Sequence, residues 1–258
     1  MNAILAIAGV AVKEMYRRKD FYVLFVLTAL ITLLLGSMSF VTDAQIVRYI
    51  KEVCLLLIWI SSLVMVITTS ARQIPMEREN RTIFPLLAKP VTRAQVLLGK
   101  FAGCWVACAI MLVCFYAFYG AVSASREHAW PSWVFYQAIW MHWCMLGILA
   151  AMALWGSVVF SASSANNTIC LVASIGLLLV GRHLNKVALG LAEPGQSLLY
   201  AVYFAIPHLE FFDFRDLMIH QWDPAPGTAM VAATLYAWAY TALLLLGAWM
   251  SFRRKALN

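Results

Sequence analysis

Imidazole, carboxylate and thiol groups are the parts of this chain that could do chemistry. His208, Glu210, Asp213, Asp216 and His220 crowd one short stretch. Asp216 and His220 would share a face if that stretch is helical, and such donors suit a zinc-type hydrolytic centre when they converge. Cys104 and Cys108 stand one helical turn apart with Met111 nearby, a soft set that suits copper(I). Each group also has a plainer reading, a solvated or interfacial segment for the first and apolar packing for the second. Cys54, Cys104, Cys108, Cys114, Cys144 and Cys170 all fall within apolar runs and read as small buried hydrophobes, not disulfides. No catalytic residue and no metal ligand is assigned. Phosphate chemistry lacks its loop: G-x-x-x-x-G-K-[ST] is absent, and Gly99-Lys100 continues with Phe101.

The elements that must position these groups are membrane spans. The chain is 63% hydrophobic and 12% charged, where a soluble domain carries roughly 25% charged residues. Charges this sparse cannot cover a soluble surface. The expected fold is an all-α integral membrane bundle of six transmembrane helices. The spans fall at about 21–41, 53–70, 96–122, 136–160, 168–181 and 229–252. A polar loop, 43–52, joins the first two. Ile4, Ile7, Ala8, Ala11, Val12 and Met15 recur at helical spacing ahead of a basic cluster, so residues 3–19 predict an amphipathic interfacial helix. Residues 182–228 form an extracytoplasmic segment. Within it Leu198–Ile206 is apolar but too short to cross roughly 30 Å of hydrocarbon. Pro194-Gly195 and Pro207 bracket it, which predicts short interfacial or re-entrant helices.

Basic residues set the orientation. Four lie near the N-terminus, six in 72–100 (Arg72, Arg78, Arg81, Lys89, Arg93 and Lys100) and three in the C-terminal tail, against six on the other side. The bias predicts both termini in the cytoplasm. It also accounts for the net charge of +7 without any nucleic-acid partner. The span cores carry no Asp, Glu, Lys or Arg, which argues against an ion-coupled carrier and mildly favours a lipid-like or amphiphilic substrate. His142, Asn166 and Asn167 read as helix–helix hydrogen bonders. Trp130, Trp133, Tyr136, Trp140 and Trp143 read as an interface belt, with a ligand cage as the alternative. Gly99/Gly103 and Gly147/Ala151 are small-residue pairs for close helix packing, within the chain or between two copies.

Between spans 2 and 3, Pro75 and Pro85 punctuate a charged face, Glu77-Arg78-Glu79-Asn80-Arg81. A short apolar ridge, Leu86-Leu87, follows. Thr92 is placed to cap the helix that leads into span 3. Such a segment, 72–95, suits docking into a groove on another protein.

The same residues resemble the ABC-2 family of ABC transporter permeases. That family has a Glu-containing segment, then Thr, then a Leu-Leu-x-x-Pro-x-x-Arg run and a Gly-Lys pair. Here these are Glu77 and Glu79, Thr82, Leu86-Leu87, Pro90, Arg93 and Gly99-Lys100. Arg81 stands where the family often has Gly. The resemblance covers the whole chain, 1–258, as a single transmembrane domain. The stretch from Pro207 to Asp213 resembles a subgroup that includes permeases of copper-enzyme maturation and gliding-motility systems. The resemblance implies a multi-pass permease subunit of a bacterial inner membrane, paired with a second permease subunit as a homo- or heterodimer. Two copies of a separate ABC ATPase would carry ATP and Mg, and this chain would bind no cofactor. The ATPase-coupling interface would comprise Glu77, Arg78, Glu79, Arg81, Thr82, Leu86, Leu87, Pro90 and Arg93. Two other functions compete. One is a non-transporting scaffold or assembly factor that passes ATPase-driven force through the membrane to an extracytoplasmic partner protein. The other is a membrane-embedded enzyme using the outer His/Asp cluster.

Overall fold

A computed structural model describes residues 3–17, 19–37, 43–80, 91–128 and 130–255, and the described residues are all-helical. Among the described residues the helices run, in chain order, α1 (Ala3–Arg17), α2 (Lys19–Gly36), α3 (Asp43–Ala71), α4 (Gln73–Glu79), α5 (Arg93–Glu127), α6 (Trp133–Val159), α7 (Ser163–Leu189), α8 (Gly195–Ala205), α9 (Arg215–Ile219) and α10 (Gly227–Arg254), with a 3-10 turn at Leu209–Phe212. Among the described residues, α2, α3 with α4, α5, α6 and α10 are long and apolar enough to cross a membrane, and α7 contributes a shorter apolar stretch, Ser163–Leu179.

The centre of the bundle is α6. Its sides meet α3, α5, α7 and α10, and it is buried at Ala138, Met141, Met145, Leu149 and Ala153. A helix apolar all round is stable only where protein or lipid surrounds it, and α6 is covered by protein over most of its length. The peripheral helices show the lipid-facing counterpart. Leu30, Leu33 and Leu34 of α2 and Leu235, Leu243 and Leu246 of α10 are exposed, while α2 turns Thr28 and Thr32 inward.

The helices share two ends. Ile7 and Ala11 meet α5 at Gly99 and Gly103, Phe21 and Phe25 pack on Phe115 and Phe118, and Arg126 bonds the Gly36 carbonyl. The α1–α2 stretch therefore runs alongside α5 in the same direction. The expected N-terminal helix is present, and it lies lengthwise on α5. The cause is steric: a Cβ on Gly103 would stand 2.6 Å from the Ala11 Cβ, so the glycine groove admits α1 at backbone contact. In α3 the chain runs back, as Lys51 pairs with Glu127 at the end of α5. Arg93, Lys100 and the α10 C-terminus share one end of the bundle, the basic end. The start of α1 lies there too.

Three boundaries differ from expectation. Residues 43–52 are helical, the first turns of α3, because Arg48–Glu52 bridges one turn and the buried Lys51 has the Glu127 carboxylate to pair with. The fifth apolar run belongs to a longer helix, α7, which starts at Ser163, so the 161–167 linker shrinks. The same helix continues to Leu189 and absorbs the beginning of the 182–228 segment. Later in that segment the chain returns to the bundle. Leu209 and Phe212 are fully buried in the main core, and Met218 is buried beside them.

Candidate functional site

At the basic end, α4 follows α3 after the single residue Arg72, which keeps right-handed helical dihedrals. The rod therefore continues into α4 nearly unbroken. Glu77 of α4 forms an ion pair with Lys100 of α5 at 2.5 Å, and Lys100 is buried. Glu79 is exposed. The Nε and Nη2 atoms of Arg78 are buried without a hydrogen-bond partner among the described residues. Arg81, Thr82, Leu86, Leu87 and Pro90 lie outside the described residues.

At the start of α5, Thr92 caps the helix. Its hydroxyl accepts from the Gln95 N–H at 3.2 Å, and the Gln95 side chain accepts from the Thr92 N–H at 2.9 Å, a reciprocal capping box. Arg93 then turns toward α10. Its Nη1 donates to the carbonyls of Phe252 (2.6 Å), Arg253 (3.2 Å) and Lys255 (3.2 Å), and its guanidinium lies over the Phe252 ring. These are carbonyls that the end of a helix leaves open, and a cation there also complements the helix dipole. Lys255 repeats the device on α6, donating to Val158 and Val159 carbonyls at 2.9 Å. Burial pushes the Lys255 ammonium below its ordinary value, and the charge of Arg78 adds to the shift. Beneath these caps Ile74, Leu97, Leu154, Val158, Ala248 and Phe252 form a separate core. The result is one braced unit made from α4, α5, α6 and α10.

The small-residue pairs are occupied within the chain. Gly99 and Gly103 receive α1, Gly147 lies under the Trp105 indole, and Ala151 is buried. Trp105 and Trp143 stack at 4.2 Å and each donates to the other's backbone carbonyl.

Polar side chains also lie inside the bundle. His142 sits between Ser62 (2.8 Å) and Tyr116 (3.1 Å) and stacks on Trp59. The guanidinium of Arg215 lies 4.5 Å from the centre of that same indole, held by Asp213 through two bonds of 2.9 Å. Asn166 ties α7 to α6 through the Ala153 carbonyl at 2.9 Å. Beside Trp59, α3 and α7 flank a groove of about 460 Å³ lined by Leu56, Ile60, Leu63 and Leu171, with Asp213 and Arg215 at its margin.

The outer cluster does not converge. His208 pairs with Glu210, Asp213 with Arg215, and His220 stacks on Trp222. Among the described residues no group of three or more His, Cys, Asp or Glu could hold a metal ion. Cys104 and Cys108 are buried.

Residues 5–257 match the family model described as ABC-2 family transporter protein. The chain belongs to that family. No curated protein matches it. As an ABC-2 permease it is a multi-pass membrane protein of an ABC transporter. Sequence reasoning reached that family through the 72–100 motif. It did not foresee that Arg93 of the motif caps α10, nor that Lys51 and Glu127 pair. The Arg93 contact joins residues 159 or more positions apart, and nothing local to Arg93 points to it.

Proposed function

We propose that this permease is the membrane-spanning subunit of an ATP-driven transporter, worked by a separate ABC ATPase that docks on the basic end and holds the ATP and Mg. The subunit crosses a bacterial inner membrane six times, with the basic end and both termini in the cytoplasm, and pairs with a second permease subunit. The positive-inside bias supports this orientation.

The bracing at the basic end carries the reading. A push on α4 would reach α3 along the rod, α5 through Glu77–Lys100, and α10 and α6 through the Arg93 and Lys255 caps. Arg78, Glu79, Arg81, Thr82, Leu86, Leu87 and Pro90 are proposed to face the ATPase, and Arg93 to pass its motion inward. The α3–α7 groove is proposed as one wall of the substrate route between two bundles. Its apolar lining and marginal ion pair suit an amphiphilic substrate.

Affinity purification of the full chain from membranes, with identification of what accompanies it, tests the proposal. The expected result is an ABC-type ATPase with the parent and a severalfold smaller recovery with Glu79→Arg, an exposed charge reversal that leaves the fold intact. A folded chain that never carries an ATPase overturns it.

A further inference from the structure

At the end opposite the basic one, the close of α5, the start of α6 and the turn after α9 border an open cavity of about 480 Å³. Its size lies within the usual range of small-molecule sites, roughly 300–1,000 Å³.

The floor is charged but internally balanced. Lys51, buried, pairs with Glu127. The same carboxylate accepts from Ser123 at 2.9 Å and from Gln221 at 2.9 Å. Its charge is thus met by Lys51 and both of its oxygens are engaged. The walls are aromatic. Tyr119 and Phe135 line the interior, and Trp130 and Trp222 stand at the rim with exposures of 56% and 57%.

Both rim indoles are positioned. Trp130 is edge-on to Phe135 and covers Gly120, where a Cβ would come within 3.1 Å of the ring. Trp222 stacks on His220 and follows Gln221, whose φ of 53° is left-handed. That uncommon conformation for a residue with a side chain swings the Gln221 amide onto Glu127 and brings Trp222 to the rim. The remaining charge in the lining is Asp223, which makes no ion pair among the described residues.

We propose that this cavity binds an organic cation, an ammonium or guanidinium group carried on a larger molecule. The faces of indole rings attract cations through their quadrupole, tryptophan most strongly. Asp223 supplies the counter-charge, and the neutral Lys51–Glu127 floor leaves the lining with one negative charge in excess. The cavity is larger than a trimethylammonium head, so part of the attached chain enters with it. The site is separate from the α3–α7 groove, and its occupancy does not depend on an ATPase partner.

The test uses the full chain in lipid nanodiscs, with binding read by titration calorimetry. Choline is the first probe, Nα-acetyl-lysine amide the second, and 3,3-dimethylbutanol the neutral isostere of choline. Saturable binding of a cation, with weaker or absent binding of the isostere, is expected. Asp223→Asn and Trp222→Ala, both exposed and each checked by thermal melting, should weaken it about threefold to fivefold, the scale of a solvent-exposed cation–π contact. Preference for choline assigns the site to a free solute, and preference for the capped lysine to a side chain of a partner protein; both uphold the cation assignment. No saturable binding of either cation, equal binding of choline and its isostere, or unchanged affinity in both variants overturns it.

Discussion

Removing the imidazole of His142 would strip Ser62 and Tyr116 of a shared partner and leave Trp59 without the ring it stacks on. Hydrogen bonds between membrane helices are worth about 0.6–2 kcal/mol each. His142→Ala should therefore lower the stability of the detergent-extracted chain by about 1–3 kcal/mol, read as a fall in melting temperature. Ser125→Ala, on an exposed hydroxyl bonded only within its own helix turn, should leave it unchanged. Equal melting of His142→Ala and the parent would deny the network its structural role. At this scale the sequence was partly legible. An imidazole in an apolar span needs a partner, so a helix–helix hydrogen bond could be read there. Lys51–Glu127 could not, because its members are 76 positions apart and 43–52 reads locally as a polar loop.

Among the elements, α1 makes the sharpest comparison of two glycines. Gly103 faces Ala8 and Ala11 within contact distance, whereas a Cβ on Gly9 would meet open space. Gly103→Leu should lift α1 from α5, read as faster hydrogen exchange across 3–17 with a lower yield of folded chain. Gly9→Ala should stabilise α1 by about 0.5–1 kcal/mol. If both variants exchange like the parent, the α1–α5 contact is not the one described. The same logic applies to α10. Arg93→Gln loses the cation that serves three terminal carbonyls. Exchange should rise in the last turn of α10 and leave the first turns of that helix unaffected. Helix existence was readable from apolar run length and Thr92 from capping chemistry. The lie of α1 along α5 was not, since an amphipathic pattern fits a lipid surface and a protein groove equally well.

For the whole molecule, family and helical class were legible because composition and the 72–100 motif are carried by the sequence itself. The α3–α7 groove and the brace at the basic end were not, because both depend on which helices become neighbours. In the proposed mechanism, force applied at α4 reaches the groove through Glu77–Lys100 and Arg93. The direct measurement is a spin-label distance between Ile60 and Leu179, both exposed and on opposite walls of the groove, in the complex purified with its ATPase. ATP and Mg should shift that distance in the parent. In Lys100→Gln and Arg93→Gln the shift should shrink while the ATPase stays bound. A groove that does not respond to ATP in the parent, or that responds equally in both variants, would contradict the account.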